Sequence, residues 1–449
     1  MWGFTVDDAL IPIRYAHHLA MGVGYRFDAH GPSTDGVTPL PWSFMLAPLA
    51  AGDAMTTLLR AKVLGVLAWT LAGAALGARL GAIAGRDRVQ SALVATSLVV
   101  MGLSFSIGAW AASGMETGLA TALATIAVTR MKRSRQVALL AGLAAALRPE
   151  MVVWAMAIAA GAATTGERER EGEREREGER GLWDAVAAGL IALGPFAVCA
   201  AVRMVIFGRP APLAVLAKPS DLLHGSVYAG AAAFVVLTPL LVCAPVALWR
   251  ARGAALAIVV AFVAHALAVT AAGGDWMPYA RLLVPVAPSL VIAFGLLSKA
   301  AHPAWSAARV AAAAILGVML AARAAPAGRS VYQDRADLVA RARPVLVGAH
   351  VVAALDVGWL GAATDAEIVD LAGLTDPAIA LLPGGHTSKR VDVPMLLDRG
   401  VDTVIVYSDT RAVEARIIDS ELFASRFEAA EKLPVGSRGA FYTVYRRRV

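Results

Sequence analysis

The sequence predicts a mostly α-helical, polytopic membrane protein that carries a small C-terminal α/β soluble domain. Hydrophobic residues make up 58% of the 449 residues and charged residues only 17%, a balance well outside that of soluble globular proteins. Apolar runs near bilayer-spanning length recur through the middle of the chain. We therefore predict an extracytoplasmic first loop at 1–57, a transmembrane helical domain at 58–325 and an extracytoplasmic α/β domain at 326–449.

The predicted first loop is polar and rich in turns, and it ends where the chain becomes almost continuously apolar. An amphipathic stretch at Ile11 to Met21 follows the acidic pair Asp7-Asp8. The run Leu40 to Ala51 is too short to cross a bilayer comfortably and contains two prolines, so we expect an interfacial or re-entrant helix. An outer loop normally needs a preceding helix to deliver it across the membrane, so an apolar segment is expected upstream of Met1.

Nine apolar runs are predicted to form the membrane domain. They are Leu58 to Ile83, Ala92 to Ile107, Leu119 to Val128, Val137 to Ala163 with a break near Pro149, Ala185 to Phe207, Val227 to Leu248, Ala254 to Ala272, Leu282 to Leu297 and Val310 to Ala322.

Positive charge predicts the orientation of these spans. Basic clusters at 79–88, 130–135 and 250–252, together with Lys299, are expected on the cytoplasmic side. The loops around Asp8, Glu116, Lys218 and Asp275 then fall on the extracytoplasmic side, together with the C-terminal domain. The charged linker at 165–181, with its tandem Glu-Arg-Glu-Arg-Glu-Gly, is expected to be solvated in the cytoplasm. The net charge of +7 is expected to serve membrane anchoring, with no nucleic acid implied.

A shift in composition after Ala322 predicts the C-terminal α/β domain. Strands are expected at Val351 to Asp356, Glu367 to Leu371, Thr403 to Tyr407 and Ala440 to Tyr445, with helices at Val393 to Arg399 and Ala412 to Leu422. About 120 residues suffice to bury a core of their own.

The first candidate site is the carboxylate pair in the first loop. Ionised groups are placed sparingly at the hydrocarbon edge, so Asp7 and Asp8 are candidates for chemistry on a substrate with a lipid end and a polar end. The simpler interpretation is that one of them caps the helix predicted at Ile11 to Met21. We expect one to cap and the other to act as a general base on an acceptor hydroxyl, with Asp8 the first choice and Asp7 the second. Arg14 follows within three turns as a candidate for substrate binding.

Two further loops carry candidate substrate-binding residues. Glu116 lies in Ser-Gly-Met-Glu-Thr, and Asp275, Trp276 and Arg281 lie in and after Gly-Gly-Asp-Trp-Met-Pro. Arg281 can bind a phosphate bidentately, and Lys218 offers a second cation. The simpler interpretations are a solvated loop for Glu116, an interfacial anchor for Trp276 and snorkelling for the two cations.

Other polar residues in the spans are interpreted as structural. Arg148-Pro149-Glu150 is expected to break a helix, with its two charges paired, and His265 is expected to be a packing residue. No cluster has dedicated metal-ligand spacing, so no cofactor is certain and a divalent cation remains possible.

The order of the motifs resembles the GT-C glycosyltransferases, especially the branch of actinobacterial terminal arabinofuranosyltransferases. The motifs are Asp-Asp-Ala-Leu-Ile-Pro-Ile-Arg-Tyr-Ala at 7–16, Gly-Val-Gly-Tyr-Arg-Phe at 22–27, Asp-Gly-Val-Thr-Pro-Leu-Pro-Trp at 35–42, Ser-Gly-Met-Glu-Thr at 113–117, Leu-Arg-Pro-Glu at 147–150 and Gly-Asp-Trp-Met-Pro at 274–278. The stretches 356–358 and 368–377 look like the soluble domain of that branch.

The resemblance implies transfer of a sugar from a polyprenyl-phosphate donor to an envelope glycan or lipid acceptor, on the outer face of a bacterial plasma membrane. It further implies a first-loop aspartate as general base and inversion at the anomeric carbon. Two other classes stay open: a transporter or flippase for a polyprenyl-linked sugar, and a non-catalytic member of the fold that binds through its soluble domain. The absence of an internal repeat argues against the transporter.

Overall fold

The protein is described here by a computed structural model that covers residues 1–168, 177–218, 220–241, 249–299, 301–437 and 439–448. Residues 169–176 of the predicted linker and 242–248 of the predicted span Val227 to Leu248 lie outside these ranges. The chain divides into two compact units. The helical unit comprises Met1–Trp2, Lys62–Cys199 and Ser220–Gly328, and the mixed unit comprises Gly3–Ala61, Ala200–Pro219 and Arg329–Val449.

Helices account for nearly all of the helical unit, as the apolar composition predicts. The helices that lie in it wholly or in large part are Ala54–Ala84, Arg88–Gly102, Phe105–Ala111, Thr117–Thr129, Ser134–Leu147, Val152–Arg168, Glu177–Phe207, Leu222–Leu241, Gly253–Ala271, Ala287–Ser298 and Pro303–Gly328. Within the described residues, four segments are long and apolar enough to cross a membrane: Ala54–Ala84, Gly181–Phe207, Gly253–Ala271 and Pro303–Val345. The helices 88–102 and 105–111 form a fifth candidate that is bent by 55°.

Each of the nine predicted apolar runs contains a helix, but several helices are short or broken. Pro149 interrupts its run as predicted, because a short 3-10 helix at Pro149–Met151 separates Ser134–Leu147 from Val152–Arg168. The ends of the predicted linker are helical: one helix continues to Arg168 and the next begins at Glu177. The segment Leu40–Leu49 is a short apolar helical stretch, consistent with the expectation that it does not span.

The mixed unit combines short helices with one sheet. Its helices are Ile11–Ala20, Leu40–Leu46, Leu213–Ala217, Val331–Val345, Val357–Ala363, Pro377–Ala380, Val393–Asp398, Ala412–Ile418 and Glu421–Arg426, with 3-10 turns at Asp7–Ala9 and Ala47–Leu49. Its strands are β1 (Val351–Ala354), β2 (Glu367–Asp370), β3 (Thr403–Tyr407), β4 (Phe427–Val435) and β5 (Ala440–Arg447).

The sheet has the strand order β2-β1-β3-β5-β4. Strand β1 pairs in parallel with β2 and β3, whereas β5 is antiparallel to both β3 and β4. The parallel strands are short and buried, for example with Val352 opposite Ile368, which is typical of strands covered by helices on both faces. All four predicted strands are confirmed within two residues at each end. Strand β4 was not predicted.

Candidate functional site

In the helical unit, the loop between the helices 253–271 and 287–298 brings two predicted site residues together. Arg281 donates a hydrogen bond from Nε to Oδ2 of Asp275 over 2.6 Å. The second oxygen of Asp275 accepts the N–H of Trp276 over 2.9 Å. Nη1 of Arg281 lies 3.9 Å from the sulfur of Met115, a weak acceptor. This arrangement fixes the direction of the guanidinium while leaving it donors for an anion.

The turn that connects these two residues is strained. Tyr279 and Ala280 have φ values of 63° and 58°, in the left-handed region that side chains with a Cβ rarely adopt. The carbonyl of Tyr279 accepts a hydrogen bond from the indole N–H of Trp110 over 3.2 Å, and that of Ala280 accepts the N–H of Leu283 over 2.9 Å. Strain held in this way concentrates at functional sites. We therefore treat the turn 275–281 as the centre of the candidate site.

A buried ion-pair network lies next to this turn. Arg148 donates from Nη1 to Glu116 over 2.7 Å and from Nε to Glu150 over 2.7 Å. Glu116 is 1% and Arg148 4% exposed, and Arg148 also interacts electrostatically with Asp275. Glu116 follows Met115 in sequence, so the predicted residues Glu116, Asp275 and Arg281 converge. The predicted pairing of Arg148 with Glu150 is confirmed, but its link to Glu116 was missed because 32 residues separate the partners.

The same turn borders an apolar cavity of about 360 Å³. Met277, Tyr279 and Ala280 line it from the turn. The rest of the lining is largely aliphatic and aromatic, including Met101, Phe105, Val291, Phe294, Val310 and Leu320. Tyr228 also lines the cavity, and its hydroxyl accepts the N–H of Leu282. One short loop therefore presents a cation–carboxylate pair and the wall of an apolar cavity.

The structure exposes Trp276 and buries His265. Trp276 is 69% exposed and stacks on His224 with their ring centres 4.3 Å apart, so the interfacial interpretation stays a prediction. His265 is fully buried, and its Nε2 hydrogen-bonds to the carbonyl of Leu282 over 2.8 Å. It therefore helps to hold the end of the strained turn.

In the mixed unit, Asp7 caps a helix, although not the helix we expected. The helix Ile11–Ala20 has no side-chain cap. Instead, the two oxygens of Asp7 accept the N–H groups of Gly358 and Trp359 over 2.8 and 3.0 Å, at the first turn of the helix Val357–Ala363. The prediction that Asp7 or Asp8 caps Ile11 to Met21 was therefore wrong. The acceptor of those N–H groups is 351 residues away in sequence, where local patterns carry no signal.

The surroundings of Asp7 hold other charged groups. Arg335 approaches Oδ1 of Asp7 to 3.6 Å. Burial, which outweighs this cation, raises the pKa of Asp7 to about 6, and the neighbouring Asp356 and Asp8 add to the rise. Asp356 in turn accepts hydrogen bonds from Arg411 and from the hydroxyl of Tyr442. Sequence reasoning assigned no role to Arg335, Arg411 or Tyr442.

Asp8, the first-choice base, differs from Asp7. Its side chain is half-buried. Within the residues that the structure describes, no hydrogen bond or ion pair engages its carboxylate. The protein therefore fixes the carboxylate of Asp7, whereas the carboxylate of Asp8 remains available.

Arg14 is fully engaged within the mixed unit. Its donors reach the carbonyls of Phe27, Gly361, Thr364 and Ala366 and the carboxylate of Asp28. These five acceptors match the five N–H donors of a guanidinium. We therefore interpret Arg14 as a structural cation, in contrast to the predicted role in substrate binding.

Arg203 holds another segment of the first loop. Arg203 is 1% exposed and donates from Nε to Asp35 over 2.8 Å and from Nη2 to the carbonyls of Val37 and Thr38. Lys218 directly follows the helix Leu213–Ala217 with a half-buried side chain. Its predicted role in phosphate binding stays a prediction.

A metal site is not apparent from the side-chain arrangement. Within the described ranges, no group of three or more His, Cys, Asp or Glu side chains is arranged to hold a metal ion. The possible divalent cation therefore stays a prediction.

Comparison with known proteins gives one match. A family described as a domain of unknown function, DUF8728, matches residues 332–445, which include Arg335, Gly358, Trp359 and most of the sheet. No curated protein and no solved structure matches the chain.

Proposed function

We propose that this protein is an inverting membrane glycosyltransferase that moves a sugar from a polyprenyl-phosphate donor to an envelope glycan or lipid acceptor. The observation that carries the proposal is the turn 275–281. It presents Arg281 beside Asp275 and, through Met277, Tyr279 and Ala280, walls an apolar cavity. A ligand that suits both features is an amphiphile with a phosphate at its polar end.

The apolar character of the chain supports a lipid-linked donor. At least four segments are long and apolar enough to span a bilayer. One of them, Pro303–Val345, lines the cavity together with the bent pair of helices at 88–111 and two shorter apolar helices. Arg281 would bind the phosphate, because a guanidinium matches phosphate oxygens in a bidentate geometry. Lys218 would supply a second cation. Arg148, paired with Glu116, would help to hold the turn through its electrostatic interaction with Asp275.

Asp8 would act as the general base. As the acceptor hydroxyl attacks the anomeric carbon, its proton passes to the carboxylate of Asp8, and the bond from that carbon to the phosphate oxygen breaks. The bonding electrons leave with the polyprenyl phosphate, whose added charge Arg281 would stabilise. A single displacement of this kind inverts the anomeric carbon. Asp8 suits this role because its carboxylate has no side-chain partner among the described residues.

Purified protein in lipid nanodiscs tests the proposal. Radiolabelled polyprenyl-phosphate pentoses and hexoses are supplied with short oligosaccharide acceptors, and the labelled product is measured. We expect transfer from one donor, loss of about 10²- to 10⁴-fold for Asp8→Asn, and weaker donor binding for Arg281→Gln. Asp409→Asn and Arg135→Gln are matched controls, because both side chains are exposed and make no described contact.

Two outcomes would contradict the proposal. Transfer by Asp8→Asn at the wild-type rate would remove Asp8 as the base. Movement of the labelled lipid across a vesicle membrane without any transfer would instead identify the transporter that the sequence left open.

A further inference from the structure

Asp7 and Arg14, which precede and follow Asp8 in sequence, both contact the short helix Val357–Ala363 of the C-terminal segment. Asp7 accepts the N–H groups of Gly358 and Trp359 at the start of the helix Val357–Ala363. Arg14 donates to the carbonyls of Gly361 and Thr364 at its end, over 3.2 and 2.8 Å. We call these two contacts the Asp7–Arg14 clamp. The first segment thereby satisfies backbone groups at both ends of this helix, which otherwise lack partners within it.

Two glycines permit this close approach. A Cβ atom added to Gly358 would lie 2.1 Å from the carbonyl oxygen of Asp7, and one added to Gly361 would lie 2.8 Å from Cδ of Arg14. Both distances are shorter than real Cβ contacts allow. A side chain at either position would therefore force the helix or residues 7–14 to shift.

Asp8 lies between the two contacts of the clamp in sequence. It is part of the 3-10 turn Asp7–Ala9, whose first side chain is held by two N–H groups and by the cation of Arg335. A carboxylate that must take a proton from a hydroxyl needs its position fixed to within a fraction of an ångström. The C-terminal segment holds the side chain of Asp7 before Asp8 and the side chain of Arg14 after it, while the carboxylate of Asp8 stays unengaged within the described residues.

We propose that the helix Val357–Ala363 is a positioning element for Asp8, and that Asp7 and Arg14 act through it as positioning residues. The inference rests on the proposed function, because it presumes that Asp8 performs the chemistry. It gives the C-terminal segment, including the part matched by the family of unknown function, a positioning role in the reaction. It also assigns Asp7 and Arg14 roles other than base and phosphate ligand.

Hydrogen exchange of the intact protein in nanodiscs tests the clamp without any substrate. We expect slow exchange of the Gly358 and Trp359 amides in the wild type. Both should exchange faster in Asp7→Asn, which keeps only one acceptor oxygen, and in Gly358→Ala. Gly385→Ala is the matched control, because the nearest atom to its added Cβ is Ser388 Oγ at an ordinary 3.7 Å. Unchanged protection in both variants would overturn the clamp.

Kinetics test the positioning role. We expect Asp7→Asn, Gly358→Ala and Gly361→Ala to lower kcat roughly 10- to 100-fold, as a displacement near 1 Å does, with the donor KM unchanged. On an Asp8→Asn background the same changes should cause no further loss, because residues that act through one group are not additive. Equal losses on both backgrounds, or a change confined to KM, would overturn the role.

The two proposals fail in different ways. If the wild type transfers no sugar from any donor while the Gly358 and Trp359 amides are protected, the function fails and the positioning role fails with it, although the clamp is established. If the wild type transfers sugar and Asp7→Asn and Gly358→Ala do so at the wild-type rate, the function stands and the positioning role is wrong.

Discussion

The buried cation Arg148 neutralises the negative charges of two carboxylates. It is 4% exposed and binds Glu116 and Glu150. Replacing it by glutamine leaves both carboxylates without their cation, which costs about 3–5 kcal/mol in buried pairs. We expect Arg148→Gln to lower the melting temperature of the purified protein strongly, whereas the exposed control Arg135→Gln leaves it unchanged.

A triple variant of the same network separates the effect of charge balance from the effect of hydrogen-bond geometry. In the triple variant with Glu116→Gln, Arg148→Gln and Glu150→Gln no charge is left unpaired, so we expect part of the lost stability to return. A triple variant less stable than Arg148→Gln alone would show that hydrogen-bond geometry, and not charge balance, dominates the network.

Asp7 gives the stability a pH dependence with a defined sign. Burial raises its pKa from 3.8 to about 6, with Arg335 opposing the rise and with Asp356 and Asp8 adding to it. Because the folded pKa lies above the unfolded one, its contribution to stability is fully present below pH 3.8 and is lost as the pH rises through about 6. Asp7→Asn cannot ionise. The stability advantage of the wild type over Asp7→Asn should therefore be larger at pH 4.5 than at pH 7.5 in thermal unfolding.

The opposite pH dependence of the wild type and Asp7→Asn would contradict the raised pKa of Asp7. An advantage that grows from pH 4.5 to pH 7.5 would mean that the two N–H donors and Arg335 outweigh burial and hold the pKa of Asp7 below its usual range.

The turn 275–281 is the element in which backbone strain and candidate chemistry coincide. Ala280 has a φ of 58°, a conformation that costs an alanine roughly 1 kcal/mol relative to glycine. We expect Ala280→Gly to raise the melting temperature, whereas the control Ala264→Gly, inside the helix Gly253–Ala271, should lower it by a similar free energy. If Ala280→Gly also lowers activity, the rigidity of the turn serves the reaction. Destabilisation by Ala280→Gly would show that the turn is not strained.

Strand β4 shows where sequence-based prediction of elements fails. Its residues Phe427–Val435 include the run Glu-Ala-Ala-Glu-Lys-Leu, which favours a helix by intrinsic propensity. It forms a strand because its backbone pairs antiparallel with β5 along its whole length, with a bulge between Ala429 and Glu431. Tertiary pairing therefore overrides local preference. Strands β1, β2 and β3 were predicted because the Val, Ile and Thr residues at those positions favour the strand structure that they adopt.

For the candidate site, too, the sequence predicts what local patterns determine and misses what contacts between distant segments determine. The sequence identified Asp8, Glu116, Asp275 and Arg281 because charged residues between apolar runs are conspicuous. It could not identify the partners Arg335, Gly358 and Trp359, since hydrogen bonds between segments more than 300 residues apart leave no local pattern. The misassigned cap of Asp7 has this same cause: a capping carboxylate can accept N–H groups from any helix that reaches it.

At the scale of the whole molecule, the orientation in the membrane is the main untested prediction. The basic clusters predict that residue 135 faces the cytoplasm and that residue 385 faces outward. In a background with Cys199→Ser and Cys243→Ser, we expect a membrane-impermeant maleimide to label Gly385→Cys in intact cells and Arg135→Cys only after the cells are broken. Labelling in the reverse order would place the candidate base on the wrong side for an extracytoplasmic reaction.

The mixed unit draws together Gly3–Ala61 and Arg329–Val449, which stand at opposite ends of the chain. Asp7, which accepts the Gly358 and Trp359 amides, is thus synthesised 351 residues before Gly358. At about 5–20 residues per second, this segment must wait roughly 18 to 70 s on the ribosome for its binding partner. During that interval Asp7 and Arg14 have no helix to contact, so both residues acquire these partners only after Val357–Ala363 has been made.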